Sequence, residues 1–77
     1  MNVTIEYCVP CGHLERAIDV QRKLLVRYGG TLDGVRLQTG TGGVFKISVD
    51  DRLVLDASRD GFDLAAVTDA IDAQVAA

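Results

Sequence analysis

The sequence predicts an α/β domain in the order β-α-β-β-β-α, a four-stranded mixed sheet covered by two helices. Three observations lead there. Val3-Thr4-Ile5-Glu6-Tyr7 alternates apolar and polar with the period of a half-buried strand. Leu14, Ala17, Ile18, Gln21, Leu24, Leu25 and Tyr28 then recur at helical spacing. Three further short apolar runs, and a last helical one, follow between glycine and aspartate breakers.

Taken in order, the first helix is expected over residues 12–28, stopping at the pair Gly29-Gly30. Strand two should cover residues 32–39, with Val35 and Leu37 on one face. Gly40-Thr41-Gly42-Gly43 breaks the chain before strand three, marked by Val44, Phe45, Ile47 and Val49. Leu53-Val54-Leu55 forms strand four, joined to strand three at Asp50-Asp51, because Asp tolerates positive φ. The last helix begins after Gly61, with Asp63 as its N-cap and Phe62 stapled against Val67. Its buried face should be Leu64, Val67, Ile71 and Val75. A strand–helix–strand crossover of this length makes the first two strands parallel and right-handed. The layout is that of a minimal thioredoxin-like fold.

Composition bounds the setting. A chain of 77 residues is one domain, residues 1–77, burying about 60% of its unfolded surface. An apolar content of 48% is enough for a packed core. No leader is expected before Val3, and no apolar run approaches the ~20 residues of a membrane span. A cytoplasmic protein, active as a monomer and away from membranes, is therefore expected. Eight basic against eleven acidic residues give a net charge of −3, which argues against nucleic acid as a partner. Nine of the acidic residues are Asp, and Lys occurs twice beside six Arg, a bias found on surfaces adapted to high salt.

The chemistry concentrates in Cys8-Val9-Pro10-Cys11, which holds both cysteines of the chain where strand one gives way to helix one. A bridge between such near neighbours closes a tiny loop and stabilises little, so the pair is expected to do redox work. Helix N-termini stabilise thiolate through unpaired N–H groups and the helix dipole. Pro10 lacks an N–H and biases Val9 towards extended backbone, stiffening the loop. Cys8, at the strand end, is expected to be the more exposed sulfur and the nucleophile, with Cys11 in the first helical turn. The parallel crossover also brings residues 40–43 to the cysteine end. With Pro10 the only proline, Gly42 and Gly43 are expected to offer their backbone to an extended thiol substrate, beside Pro10. Tyr7 should be core, Glu6 should face outward, and His13 and Arg16 read as solvated residues of the helix start.

Tyr7-Cys8-x-x-Cys11, Arg16-Ala17, Gly40-x-Gly42-Gly43-x-Phe45, Val49-Asp50 and Gly61-Phe62 resemble, in order and spacing, the selenoprotein W, T and H group, the Rdx family. The resemblance spans essentially the whole chain and is nearest to short selenoprotein W-like members. It implies a thioredoxin-like fold, redox activity and contact with glutathione or protein thiols. The second motif position is often selenocysteine there, so Cys11 looks like its sulfur counterpart. That precedent makes the second position reactive, against the assignment of Cys8. Two departures, Asp51 for a turn glycine and Asp63 for a proline, leave the chemistry untouched. The function expected is a thiol–disulfide oxidoreductase acting on low-molecular-weight or protein thiols and disulfides, with no cofactor. The alternatives are a redox-switched interaction adaptor and a metal carrier using Cys8, Cys11 and His13. The carrier lacks the second ligand pair of a closed zinc site.

Overall fold

The computed structural model describes residues 1–76. The elements are β1 (Asn2–Cys8), α1 (Leu14–Tyr28), β2 (Gly34–Gly40), β3 (Phe45–Val49), β4 (Arg52–Asp56), a one-turn α2 (Ala57–Asp60) and α3 (Leu64–Ala76). The sheet order is β2-β1-β3-β4. β1 runs parallel to β2, with Cys8 opposite Gly40, and antiparallel to β3, with Tyr7 opposite Phe45. This is the thioredoxin-like layout expected, with the short α2 added. That turn escapes periodicity analysis because it is four residues long, started by the Asp56 carboxylate accepting from the Ser58 amide at 3.2 Å.

Both long helices cover one face of the sheet. Val3, Ile5 and Tyr7 from β1, Phe45, Ile47 and Val49 from β3, and Leu55 from β4 meet Ala17, Val20, Leu24 and Tyr28 from α1 and Val67 and Ile71 from α3. The other face carries Thr4, Glu6, Arg36, Gln38, Lys46 and Ser48, the polar half of each alternation, and no helix covers it. Asp50 and Asp51 turn β3 into β4 with φ of 49° and 67°, the double positive pair of a tight hairpin. The ladder slips one residue between Ile47 and Ser48, so that Val54 is bulged and Leu53 is left exposed.

The helices differ from expectation in which stripe they bury. α1 starts at Leu14, two residues late, because Gly12 adopts φ +77° and stays in the preceding turn. It buries Ala17, Val20, Leu24 and Tyr28, leaving Leu14, Ile18 and Leu25 exposed. The helix carries two adjacent apolar stripes, and a flat sheet covers only about 100° of its circumference. Gln21 Nε2 donates to the Val35 carbonyl of the edge strand at 2.8 Å. The helix stops at Tyr28, whose carbonyl accepts from both Thr31 and Leu32. On α3 the expected cap holds: the Ala65 amide donates to Asp63 Oδ1 at 3.1 Å. Val67 and Ile71 are buried, but Val75 is exposed. Tyr28 Oη donates to Asp72 Oδ1 at 2.6 Å and Arg27 bridges Asp72 at 3.1 Å, tying α1 to α3.

Candidate functional site

At its end β1 is held from both sides. The Cys8 amide donates to the Val44 carbonyl at 2.8 Å and the Val9 amide to the Gly40 carbonyl at 3.2 Å. The chain then turns on itself, with the Gly12 amide donating to the Val9 carbonyl at 3.2 Å. The positive φ of Gly12 completes this turn at little steric cost. His13 is the N-cap of α1 but its side chain makes no capping bond. First-turn N–H groups of a helix have no intrahelical partner and point out of its N-terminal end. Here they emerge just after the cysteine loop.

Cys8 and Cys11 are joined in a disulfide, with Cα atoms 5.3 Å apart, inside the usual span of such bridges. Their exposures reverse the expectation. Cys8 is fully buried, and Cys11 is exposed. Cys11 also lies in the turn before α1 rather than in its first turn. The strand continues through Cys8, whose amide is bonded into the β2–β3 connection at the Val44 carbonyl. A methyl group placed on Gly40, opposite Cys8, would lie 2.7 Å from Val44 Cγ1, 3.1 Å from Glu6 Oε2 and 3.2 Å from Glu6 Cγ. Val44 and Glu6 thus fill the space that a side chain at position 40 would take. Gly40 is where close packing demands glycine, and in the sequence it looks like only one breaker among several.

Residues 40–43 do lie at the cysteine end, with Gly40 opposite Cys8. Gly42 and Gly43 have φ of 72° and 78°, with nothing within 4 Å of an added Cβ at either position. They are glycine for backbone conformation and not for lack of room. The next carbonyl along, that of Val44, is already taken by the Cys8 amide. Pro10 and Gly42 are exposed, and Gly43 is half-buried.

An aromatic cluster underlies the same end. Phe45 is buried, with the His13 ring 5.9 Å away and tilted, and the Phe62 ring 5.8 Å away edge-on. Phe62 was expected only to staple α3; its pairing with Phe45 joins the last loop to the cysteine end. The Arg16 guanidinium lies 4.8 Å from the Phe62 ring centre, a cation–π distance, so this residue is more than a solvated charge. Val9, Leu14 and Phe62 are between 41% and 49% exposed, an apolar collar at the same end as the exposed sulfur. Tyr7 is core and Glu6 faces the open side of the sheet, as expected. On that side, Asp56 is held below the usual carboxylate range, chiefly by the Ser58 hydroxyl and also by Lys46.

Among the described residues, no three His, Cys, Asp or Glu side chains are grouped to hold a metal ion, and no helix is long and apolar enough to cross a membrane. Residues 2–73 match the Rdx family model. The crystal structure of a protein from Bordetella parapertussis superimposes with a TM-score of 0.86 at 31% identity, over 95% of each chain. A selenoprotein W-related protein from Vibrio cholerae superimposes with a TM-score of 0.88 at 20% identity, over 96% of this chain and 95% of that one. No curated protein matches.

Proposed function

This chain belongs to the Rdx family, and from that premise we propose that it is a thiol–disulfide oxidoreductase of the selenoprotein W-like type, working through Cys8 and Cys11. The observation that carries the reading is the division of labour in the Cys8–Cys11 disulfide, one sulfur exposed and its partner sealed beneath. Exchange proceeds by in-line attack through a mixed disulfide, so a sulfur without access cannot meet a substrate. Cys11 is therefore the attacking sulfur and Cys8 the resolving one.

The reduced protein presents the Cys11 thiolate to a substrate disulfide. A Cys11–substrate bond forms while the substrate's own S–S bond breaks and one thiolate leaves. Cys8 then attacks Cys11 Sγ, the Cys8–Cys11 bond forms, and the second substrate thiolate departs. Two electrons have passed from the protein dithiol to the substrate disulfide, and the reverse sequence oxidises a dithiol. Pro10, Gly42 and Gly43, at the same end of the sheet as the exposed sulfur, would frame the substrate backbone. The partners are low-molecular-weight or protein thiols, and the reducing cytoplasm is the compartment where such a cycle runs. CxxC couples span about −270 to −120 mV, so the measured potential fixes its direction.

Single-cysteine variants test the assignment. Cys8→Ser should accumulate a long-lived mixed disulfide at Cys11, detectable as a mass adduct with small thiols. Cys11→Ser, its remaining thiol buried, should trap far less. The opposite ranking would return the attack to Cys8, and no adduct in either variant would overturn the oxidoreductase reading. The apolar collar of Val9, Leu14 and Phe62 favours one second reading, an adaptor whose protein contacts change with the disulfide. Partner binding sensitive to oxidation, without turnover, would select it.

A further inference from the structure

The resolving cysteine has a chemical difficulty that its burial creates. A buried thiol must lose its proton before it can attack, and bulk water does not reach Cys8 to take it. The open face of the sheet holds an answer. Glu6 and Cys8 are two residues apart on β1, so their side chains share that face about 7 Å apart along the strand. Glu6 pairs in register with Gln38 and Lys46, yet its carboxylate leans towards the cysteine end. Oε2 comes within 3.1 Å of the point where a Gly40 Cβ would stand, and Gly40 is the register partner of Cys8. The carboxylate is half-buried, and among the described residues it makes no hydrogen bond or ion pair. An unengaged carboxylate on the same strand face as a buried thiol is a proton acceptor in waiting.

We infer that Glu6 takes the proton from Cys8 in the step that resolves the mixed disulfide. The inference rests on the dithiol reading above. As the Cys8 S–H bond breaks, the proton passes to a Glu6 carboxylate oxygen. The Cys8 sulfur attacks Cys11 Sγ, the Cys8–Cys11 bond forms, and the bond from Cys11 to the substrate sulfur breaks. The departing substrate thiolate carries away the electron pair, and Glu6 returns its proton to solvent. In the reverse direction the same carboxyl protonates Cys8 as it leaves. The other charged groups on this face are Arg36 from β2, Lys46 from β3 and Asp56 from β4; α1 and α3 pack on the opposite face. Arg36 is occupied with Gln38 at 2.6 Å, and Asp56 is engaged by Ser58. That leaves Glu6 as the free acceptor next to Cys8.

Dithiobis(nitrobenzoate) separates the two steps in a single turnover of the reduced protein. The first thionitrobenzoate is released when Cys11 attacks, the second when Cys8 closes the disulfide. Glu6→Gln, nearly isosteric, should leave the first release unchanged and slow the second on the order of 10²-fold at neutral pH. In that variant the second rate should climb about tenfold per pH unit, following the thiolate fraction, while in the wild type it stays nearly flat across neutral pH. Glu6→Asp should recover part of the loss. A folded Glu6→Gln protein with both rate and pH profile of the wild type would overturn the inference. Should that variant not fold, the wild-type profile decides alone: a flat second phase supports Glu6, and a full tenfold climb per unit rejects it. Release of only one equivalent by the wild type would instead overturn the dithiol reading itself.

Discussion

At one end of the sheet the chain is stitched down by charged groups, and at the other it is left open. The Met1 amine bridges Asp33 at 2.6 Å, the Asn2 amide donates to the Asp50 carboxylate while the Asp50 amide donates back to the Asn2 carbonyl, and Gln74 of α3 reaches Asp50 at 3.1 Å. Among the described residues, the cysteine end has no ion pair within residues 8–13 or 40–44. Its order comes from three backbone hydrogen bonds, two glycines at positive φ in the β2–β3 loop, and the wedge of Val44 and Glu6 over Gly40. The contrast shows how a small domain could host the proposed exchange chemistry. The groups that hold the ends of the chain are kept away from the sulfurs, so the loop proposed to bond to a substrate is held by backbone and packing alone. Functional loops are drawn from such weakly tied regions.

The sharpest break in this comparison is Gly40→Ala. Its methyl group would stand 2.7 Å from Val44 Cγ1, closer than real side chains approach, and a tight 3.1 Å from Glu6 Oε2. Val44 must move, and its carbonyl holds the Cys8 amide. Overpacking of this kind costs about 1–3 kcal/mol. A urea titration should detect that loss, and alkylation of the reduced Cys11→Ser variant should find Cys8 newly reactive. Equal stability and a still protected Cys8 would mean that Gly40 is no seal.

Much of this was legible in the residues. Alternation in Val3–Tyr7 and Phe45–Val49 fixes which side of each strand is core, and the Asp50-Asp51 pair marks its hairpin because few other residues accept positive φ twice. The burial of Cys8 was not legible. By alternation it belongs to the open face, where exposure is the natural expectation; Val44, which takes its amide and fills the space over the neighbouring Gly40, arrives from far away in sequence. Likewise, Leu14, Ile18 and Leu25 are as apolar as Ala17, Val20 and Leu24, and only the sheet decides between the stripes. Phe62 and Arg16 gave a weaker signal still, since nothing local to either announces that they meet over Phe45.

A second test sharpens the role of the β2–β3 loop by separating strain from contact. At φ +78°, Gly43→Val is penalised by its backbone, by about 1–2 kcal/mol, although there is room for the side chain. Gly43→Asn adopts the same left-handed region at smaller cost. If the loop frames the substrate, both variants should slow thiol exchange, Val more than Asn, and the Asn protein should do so with nearly unchanged stability. Exchange at the wild-type rate in Gly43→Asn would reduce this loop to a turn.

The smallest effect belongs to the stitched end, and its sign follows from linkage. The Asp50 carboxyl is held below its ordinary value, first by the hydrogen bond from the Asn2 amide and then by Gln74. A carboxyl whose folded value is depressed binds its proton less readily than in the unfolded chain. Its contribution is therefore complete above the ordinary carboxylate value of 3.8 and is lost as pH falls through the depressed folded value. Asp50→Asn removes that dependence while keeping an oxygen to accept from Asn2. The wild type should be modestly the more stable protein at neutral pH, and the two urea midpoints should converge in acid. Asp50 is fully exposed to solvent, so added salt should shrink the neutral-pH difference as well. Thiol exchange, at the far end of the strands, should not change in this variant. If Asp50→Asn altered the exchange rate while leaving stability untouched, the two ends would be coupled and the separation argued above would fail.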